Sequence, residues 1–323
     1  MKTFKWGIIG CGYIANKFAE AVKGTHGMEV VAVASRSIEN AESFCKENQI
    51  VNAFGSYEQM LNKCELDAVY IATVNITHFD CACLCLDKKV PVLCEKPMVM
   101  SVKEFDILES KAKQNNVALM EAMWTNLIPS MDMIKNCISN GEIGKVSLAF
   151  INFCVAFRAE PKSRIYNKEL GGGLIFDIGV YNLHTMINLF GMDYKDMAVI
   201  GNKGKTGVDI NSSIAFSYND GVLVNTVTGS TSNGPYKMRI CGDKGYITAD
   251  DFNNAQSFTV NYDTGEVKEI DAPYDVNGFE YQITEFANIV NSGQLQSERV
   301  SLKASRKVCE IMEKAYIKIT KED

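Results

Sequence analysis

The stretch FKWGIIGCGYIA, residues 4–15, decides the fold of this 323-residue chain. It predicts a buried strand, a glycine turn and the start of a helix, in which Gly10 permits the turn and Gly12 lets backbone N–H groups approach a pyrophosphate. The positive end of the helix would then face the phosphates. The stretch therefore predicts a dinucleotide site that includes Gly10, Gly12, Tyr13 and Ile14, with a plain glycine turn as the alternative.

The next apolar strand, Met28–Ala34, ends at Ser35-Arg36 and indicates which dinucleotide is bound. A site for NAD usually has a carboxylate here, which accepts hydrogen bonds from the ribose hydroxyls and repels a 2′-phosphate. A hydroxyl followed by a guanidinium instead donates to that phosphate and neutralises it. Ser35 and Arg36 therefore favour NADP over NAD, with a solvated loop cation as the alternative interpretation of Arg36.

Composition narrows the class of partner and the compartment. A net charge of −6 without a sustained basic stretch argues against nucleic acid and anionic membranes and leaves a small molecule. No leader segment precedes the first strand and no apolar run is long enough to span a bilayer, so we expect a cytoplasmic protein. The 11 cysteines are scattered over predicted strands and helices, which indicates reduced thiols. Cys81, Cys83 and Cys85 point to different sides of one helix, so no metal site is expected.

Two domains follow from the pattern of predicted elements. Residues 1–122 alternate strands and helices, which predicts a Rossmann-type, doubly wound parallel sheet that binds NADP. Capping patterns at Ser56 and Ser101 mark two of its helices. Residues 123–323 contain a strong helix over Leu174–Phe190 and many strands separated by turns. They predict an α+β domain with a mostly antiparallel sheet, for substrate binding and dimerisation.

Polar residues follow two strands of the predicted parallel sheet, where ligands bind beyond the carboxyl ends. The first loop carries Thr73, Asn75 and His78, as contacts for the ribose or the nicotinamide amide. His78 has an equal interpretation as a helix-start residue. The next strand ends in Glu95-Lys96-Pro97, an unusual place for a solvated lysine, although a surface cation is the alternative. Beside a nicotinamide, the Lys96 ammonium would stabilise a developing alkoxide during hydride transfer.

The helix after Gly171-Gly172-Gly173 carries four polar residues on one face, at intervals of four, three and four: Asp177, Tyr181, His184 and Asn188. In the functional interpretation Tyr181 exchanges the hydroxyl proton, its phenol pKa lowered by Lys96, while Asp177 orients the substrate or the lysine. His184 lies one turn deeper. The alternative is that these groups satisfy one another at a buried domain interface.

Three motifs together resemble the Gfo/Idh/MocA family of oxidoreductases over essentially the whole chain: the glycine turn, Glu95-Lys96-Pro97, and the triple glycine followed by Asp177-Ile178-Gly179. Many members have histidine where this chain has Tyr181. That residue, with Val92–Pro97 and Met120–Thr125, resembles the branch of trans-1,2-dihydrobenzene-1,2-diol dehydrogenase and NADP-dependent D-xylose dehydrogenase. The resemblance implies NADP, a lysine and tyrosine pair, and a homodimer or homotetramer that uses the open face of the second-domain sheet.

One position departs from that branch. Relatives often carry arginine two residues after the equivalent of Trp124, and this chain has Asn126. An anion or cofactor contact is then absent, and Arg164, which fits the loop arginine of the family, partly replaces it. The resemblance thus implies Trp124, Arg164 and His184 as substrate contacts, with Glu95 on the cofactor side.

The expected activity is NADP(H)-dependent hydride transfer between nicotinamide C4 and a CH–OH or C=O carbon of a sugar, a cyclic polyol or a dihydrodiol. Two alternatives stay open. One is a non-catalytic NADP-binding sensor of the same fold, which has no need for a strand-end lysine and an acid/base stripe. The other is an NAD-preferring polyol dehydrogenase.

Overall fold

The computed structural model describes residues 3–157, 160 and 162–321. Its helices are α1 (Tyr13–Gly24), α2 (Ile38–Asn48), α3 (Tyr57–Lys63), α4 (His78–Asp87), α5 (Val102–Asn115), α6 (Pro129–Ser139), α7 (Val180–Phe190), α8 (Glu280–Ser292) and α9 (Leu302–Thr320). Its strands are β1 (Phe4–Ile9), β2 (Met28–Ala34), β3 (Asn52–Phe54), β4 (Ala68–Ile71), β5 (Val92–Glu95), β6 (Leu119–Ala122), β7 (Val146–Cys154), β8 (Tyr194–Lys203), β9 (Asp209–Tyr218), β10 (Leu223–Gly229), β11 (Tyr236–Gly242), β12 (Gly245–Asp250), β13 (Ser257–Tyr262) and β14 (Val267–Asp271). The chain divides into a first unit, Met1–Trp124 with Asp275–Arg306, and a second unit, Thr125–Tyr274 with Lys307–Asp323.

The first unit contains a parallel sheet of six strands in the order β3-β2-β1-β4-β5-β6. Every residue of β4 and β5 is buried, as expected for strands covered by helices on both faces. Ser56 and Ser101 cap α3 and α5 by accepting hydrogen bonds from the N–H groups of Gln59 and Glu104. The predicted Rossmann fold is confirmed, and its strand order reverses between β1 and β4, where such sheets bind nucleotides.

The segment Asp275–Arg306 packs with the first unit, whereas the sequence pattern assigned it to the domain of residues 123–323. Phe286 of α8 is fully buried, and its ring lies 6.0 Å from that of Trp6 in β1. The N–H of Leu119 in β6 also donates to the carbonyl of Leu295 at 3.0 Å. The chain therefore returns to the first sheet late in the sequence, and local periodicity carries no signal for such a return.

The second unit contains a sheet of eight strands in the order β14-β13-β12-β11-β7-β10-β9-β8. Only the β7–β10 pair is parallel, so the predicted mostly antiparallel sheet is confirmed. Helix α7 packs on one face of this sheet, where Asn182 Nδ2 donates to the carbonyl of Val227 at 3.1 Å and to Thr228 Oγ1 at 3.0 Å. This packing places the polar residues of α7 in the interior of the unit.

All 11 cysteines are free thiols. Across the described residues no group of three or more His, Cys, Asp or Glu side chains is arranged to hold a metal ion. In the same part of the chain, no helix is both long and apolar enough to cross a membrane.

Candidate active site

The turn between β1 and α1 leaves an open helix start. Gly10 has φ of +105°, and a Cβ there would lie 2.4 Å from the carbonyl oxygen of Ala72, so only glycine fits. Gly12 is the N-cap of α1, and no described atom lies within 4 Å of where its Cβ would be. Tyr13, which is 74% exposed, and Ile14 begin the helix, whose first turn has neither a side-chain cap nor an acidic residue. This open N-terminus fits the pyrophosphate of a dinucleotide.

Ser35 and Arg36 lie at the end of β2. The N–H of Ser35 donates to the carbonyl of Phe54 at 3.0 Å, which ties this end to β3. Arg36 is exposed, and its charge opposes the rise that burial causes in the pKa of Tyr57 and of Cys81. The guanidinium therefore lies within electrostatic reach of Tyr57, the first residue of α3. No spacing motif in the sequence links α3 to the end of β2, so Tyr57 could not be predicted as a neighbour of Arg36.

Thr73, Asn75 and His78 follow β4. Thr77 Oγ1 donates to Thr73 Oγ1 at 2.8 Å, and the Asn75 side chain is buried. The buried His78 ring has Nδ1 at 2.8 Å from the carbonyl oxygen of Pro97 and Nε2 at 3.2 Å from that of Thr73. His78 thus joins the loop after β4 to the turn after β5, because both ring nitrogens face backbone carbonyls.

Glu95 and Lys96 end β5. The hydroxyl of Tyr70 donates to Glu95 Oε1 at 2.5 Å, and the N–H of Lys96 donates to Glu95 Oε2 at 3.2 Å. Burial raises the pKa of Glu95 to about 7, and the charge of Lys96 together with these hydrogen bonds opposes the rise. Lys96 itself is half-buried. The carboxylate of Glu95 therefore holds the backbone of the residue that bears the candidate catalytic ammonium.

The residues around Trp124 are buried. Trp124 stacks on Phe279, with ring centroids 5.1 Å apart and an interplanar angle of 29°. Asn126, which begins the second unit with Thr125, is 6% exposed, and no described donor lies within hydrogen-bond distance of its Oδ1. A buried carbonyl oxygen of this kind is suited to accept a hydrogen bond from a ligand.

In the second unit, the four residues predicted to share one helix face, here called the polar stripe, begin with an ion pair at Asp177. Arg164 Nη1 lies 2.8 Å from Asp177 Oδ1, and the arginine side chain is 41% exposed whereas that of Asp177 is 10% exposed. Tyr181 is buried with its ring 6.0 Å from Phe153, and His184 is buried one turn further along α7. Arg164 and Asp177, which we predicted from the sequence to have separate roles, therefore form an ion pair with each other.

The first turn of the predicted helix over Leu174–Phe190 is not α-helical. Ile175–Gly179 form a π-helical turn, and the α-helix begins only at Val180. A π turn closes its hydrogen bonds from residue i to i+5, whereas the sequence pattern predicted a continuous α-helix through Asp177 and Tyr181. Asn188, at the other end of the predicted stripe, accepts a hydrogen bond from Lys135 Nζ at 3.0 Å. The stripe is thus divided between two helical geometries.

Comparisons with known proteins match both parts of the chain. Residues 4–123 match the model of an oxidoreductase family with an NAD-binding Rossmann fold, and residues 131–248 match the GFO/IDH/MocA C-terminal domain. The chain is 32% identical over 324 residues to trans-1,2-dihydrobenzene-1,2-diol dehydrogenase of Mus musculus, which covers 97% of this chain and 96% of that protein. The chain belongs to the Gfo/Idh/MocA oxidoreductase family. The resemblance seen in its motifs is confirmed.

Two further comparisons place this Gfo/Idh/MocA oxidoreductase among its relatives. It is 31% identical over 319 residues to scyllo-inositol 2-dehydrogenase (NADP(+)) of Bacillus subtilis, which covers 96% of this chain and 95% of that protein. A 3-ketoreductase of Actinomadura kijaniata, solved with NADP and TDP-benzene, shares the fold with a TM-score of 0.86 at 20% identity, over 98% of both chains. The chain is therefore an oxidoreductase with a nucleotide-binding Rossmann domain.

Proposed function

We propose that this Gfo/Idh/MocA oxidoreductase transfers a hydride between NADP(H) and a CH–OH or C=O carbon of a sugar, a cyclic polyol or a dihydrodiol. The observation that carries the proposal is the full-length similarity, at 31–32% identity, to two dehydrogenases named for ring alcohols. Both named compounds, trans-1,2-dihydrobenzene-1,2-diol and scyllo-inositol, carry trans neighbouring hydroxyls on a six-membered ring. Such a trans diol is the substrate feature that we propose this chain recognises.

The proposed chemistry divides the work between named side chains. A bound nicotinamide cofactor supplies or accepts the hydride. The half-buried ammonium of Lys96 stabilises negative charge on the reacting oxygen, and the phenol of Tyr181 exchanges its proton. Asp177, held by Arg164, accepts a hydrogen bond from a substrate hydroxyl. Trp124 and His184 complete the proposed substrate contacts.

Replacing Lys96 with Met and Tyr181 with Phe tests the catalytic assignment. Each change is expected to lower kcat by at least about 100-fold, because each removes a group that acts in the transition state. The Kd for NADPH is expected to stay within about threefold, because neither side chain is assigned to the phosphates. Tyr218→Phe is the matched control, since it deletes a buried hydroxyl that donates to the carbonyl of Gly191 at 2.9 Å. Unchanged turnover in both site variants would remove the assignment.

A substrate panel tests the diol. It contains trans- and cis-cyclohexane-1,2-diol, scyllo-inositol, D-xylose and a trans-dihydrodiol, each assayed with both cofactors in the oxidative direction. We expect kcat/KM for the trans diol to exceed that for the cis diol by at least about tenfold, because only one hydroxyl geometry satisfies a fixed set of polar groups. Equal rates for the two isomers contradict the proposed feature, and no turnover with any member contradicts the proposed function.

The preference for NADP rests on Ser35 and Arg36. No carboxylate follows β2 directly, and the exposed Arg36 lies within electrostatic reach of Tyr57. A guanidinium there favours a 2′-phosphate. Fluorescence titration should give a lower Kd for NADPH than for NADH, and Ser35→Asp should weaken NADPH binding by at least about tenfold through charge repulsion. Equal NADPH binding by Ser35→Asp would contradict this part of the proposal.

We also propose a homodimer, or a tetramer of such dimers, formed through the open face of the second sheet. Leu148, Phe150 and Leu223 are 40, 39 and 53% exposed there, and Leu223 lies beside Leu148 in the β7–β10 register. An apolar patch of this kind is typical of an interface. Light scattering should report a dimer or tetramer for the wild type and a smaller species for Phe150→Glu. Ile76→Glu, at an exposed residue of the first unit, is the control.

The 11 free thiols support a cytoplasmic location, because reduced cysteines are typical of a reducing compartment. Cell fractionation with a tagged chain tests this part of the proposal, which recovery in a membrane or exported fraction would contradict.

A further inference from the structure

A helical segment that begins right after three glycines lacks a local cap. The first N–H groups of a helix have no intrahelical acceptor, and side chains just before the helix usually supply one. Gly171, Gly172 and Gly173 have no side chains to offer, and Leu174 makes no side-chain capping hydrogen bond. The segment that carries Asp177 and Tyr181 therefore has to be held at its start by another part of the unit.

Asp209, the first residue of β9, supplies that acceptor. The N–H of Ile175 donates to Asp209 Oδ2 at 2.8 Å, and the Asp209 side chain is fully buried. Asp209 Oδ1 lies only 2.8 Å from where a Cβ on Gly173 would stand, so the glycine allows the carboxylate to come this close. The carboxylate thus occupies the same helix-start position that phosphates occupy in nucleotide sites.

Burial alone does not favour a charged group at this position. It raises the pKa of Asp209 to about 6, while the N–H groups of Ile175, Asp209 itself and Leu174 oppose the rise. The same start also packs on an aromatic ring, since the ring centroids of Phe176 and of Tyr316 in α9 lie 5.0 Å apart, and Tyr316 Cε2 would lie 3.0 Å from a Cβ on Gly173. The start of the π-helical turn is therefore held by a carboxylate and by an aromatic contact.

We propose that Asp209 is a positioning residue for the reaction: it fixes the start of the π-helical turn and so sets where Asp177 and Tyr181 stand. The predicted effect of Asp209 on turnover rests on the proposed function. The predicted effect of Asp209 on the π-helical turn does not, because the turn is present without substrate. Asp209 lies 32 residues after Asp177 in the chain and acts through the backbone of the turn, where it accepts the N–H of Ile175.

Three variants test the proposal in the full chain. Asp209→Ala removes the acceptor, Asp209→Asn keeps an uncharged one, and Ser101→Ala deletes the side-chain cap of α5 in the first unit as a matched control. Hydrogen–deuterium exchange over residues 171–181 is measured without substrate. Steady-state kinetics and NADPH titration are measured on the same samples.

Asp209→Ala is expected to speed exchange at residues 174–177 by about tenfold and to lower kcat by about tenfold, the size of a lost buried cap. The NADPH Kd and the exchange of the first unit should not change. Asp209→Asn should reduce both effects to about threefold, because its amide oxygen still accepts from Ile175, and Ser101→Ala should keep its kcat within about twofold.

Unchanged exchange in Asp209→Ala overturns the proposal, and so does faster exchange with unchanged kcat, which would make Asp209 a structural cap only. If Asp209→Ala does not fold, Asp209→Asn decides: a neutral acceptor is weaker, so exchange should still rise and kcat fall by about threefold. If the wild type turns over no substrate, the proposed function fails, and the exchange measurement alone decides whether Asp209 holds the turn.

Discussion

Two glycine turns in this chain lead into helical segments and treat the start of the helix in opposite ways. After Gly10 and Gly12, α1 begins without a side-chain cap and without an acid in its first turn. After Gly173, the N–H of Ile175 is already taken by the carboxylate of Asp209. The local sequence pattern is similar, but one helix start is open and the other is filled.

The difference comes from the neighbouring strand and not from the turn. Next to Gly10 the loop after β4 presents the carbonyl of Ala72, which leaves no room for a side chain on Gly10, and the start of α1 has no side-chain cap. Next to Gly173 the strand β9 presents a carboxylate. An open start is suited to bind an anionic ligand, whereas a filled start is suited to hold the side chains that follow it.

The largest effect is expected at a crowded glycine in the loop that leads into the filled helix start. A Cβ on Gly172 would lie 2.7 Å from the carbonyl oxygens of Ile165 and Asn167. Gly172→Ala should therefore lower the free energy of unfolding by about 3 kcal/mol, measured by urea denaturation, because the loop has to move to admit a methyl group. Gly229→Ala is the control in the same unit, since its Cβ would meet only Cys154 at 3.5 Å. Equal losses in the two variants would contradict the crowding argument.

The next effect separates binding from stability at the open start. Gly12→Ala adds a methyl group where no described atom lies within 4 Å, so the free energy of unfolding should change by less than about 1 kcal/mol. The Kd for NADPH should nevertheless rise by about 10- to 100-fold in fluorescence titration, because the methyl group occupies the approach of the pyrophosphate.

Gly10→Ala serves as the contrasting variant for this experiment. Its Cβ would lie 2.4 Å from the carbonyl oxygen of Ala72, so both stability and NADPH binding should suffer. If Gly12→Ala bound NADPH like the wild type, the open helix start would not be the phosphate site.

The open start could be predicted from sequence and the filled one could not. Gly10, Gly12 and the strand before them form one local motif, and Lys96 stands at the end of an unmistakable buried strand, so both were accessible to pattern reading. Asp209 accepts a hydrogen bond from Ile175, which lies 34 positions earlier in the chain. The charge of Arg36 affects the pKa of Tyr57 because the fold brings α3 near the end of β2. Neither contact leaves a spacing in the sequence.

The geometry of the polar stripe and the extent of the first unit could not be predicted from the sequence for the same reason. Apolar periodicity predicted one helix over Leu174–Phe190, but a π turn depends on the packing of its first residues, such as Phe176 on Tyr316. Helix α8 belongs to the first unit through tertiary contacts such as that of Phe286 with Trp6, which local sequence does not show. Local sequence patterns therefore predicted the helices and strands, but only tertiary contacts determine how these elements pack together.

The pH dependence of folding stability tests the filled helix start, where Asp209 is buried. Folding raises the pKa of Asp209 to about 6, so the folded state holds this proton more tightly than the unfolded chain. The stability from this group is complete below its unfolded pKa and is lost as pH rises through about 6. Between pH 5 and pH 7.5 the wild type should therefore lose about 1.5 kcal/mol that Asp209→Asn does not lose.

Urea denaturation of the two proteins at both pH values measures this difference. Asp209→Asn should gain on the wild type as the pH rises, although its turn is held by a weaker acceptor. A constant difference between the two proteins across this range would mean that Asp209 does not titrate there and that its charge has no cost in the folded protein.

The smallest effect comes from an ordinary cap that belongs to neither turn. Ser101 Oγ accepts from the N–H of Glu104 at 3.3 Å and starts α5. Ser101→Ala should lower the free energy of unfolding by about 1 kcal/mol and leave kcat and the NADPH Kd unchanged, as measured by denaturation, kinetics and titration. If this variant lost as much turnover as Asp209→Ala, any lost cap would impair the enzyme equally. The contrast between an open start that binds and a filled start that positions would then have no functional meaning.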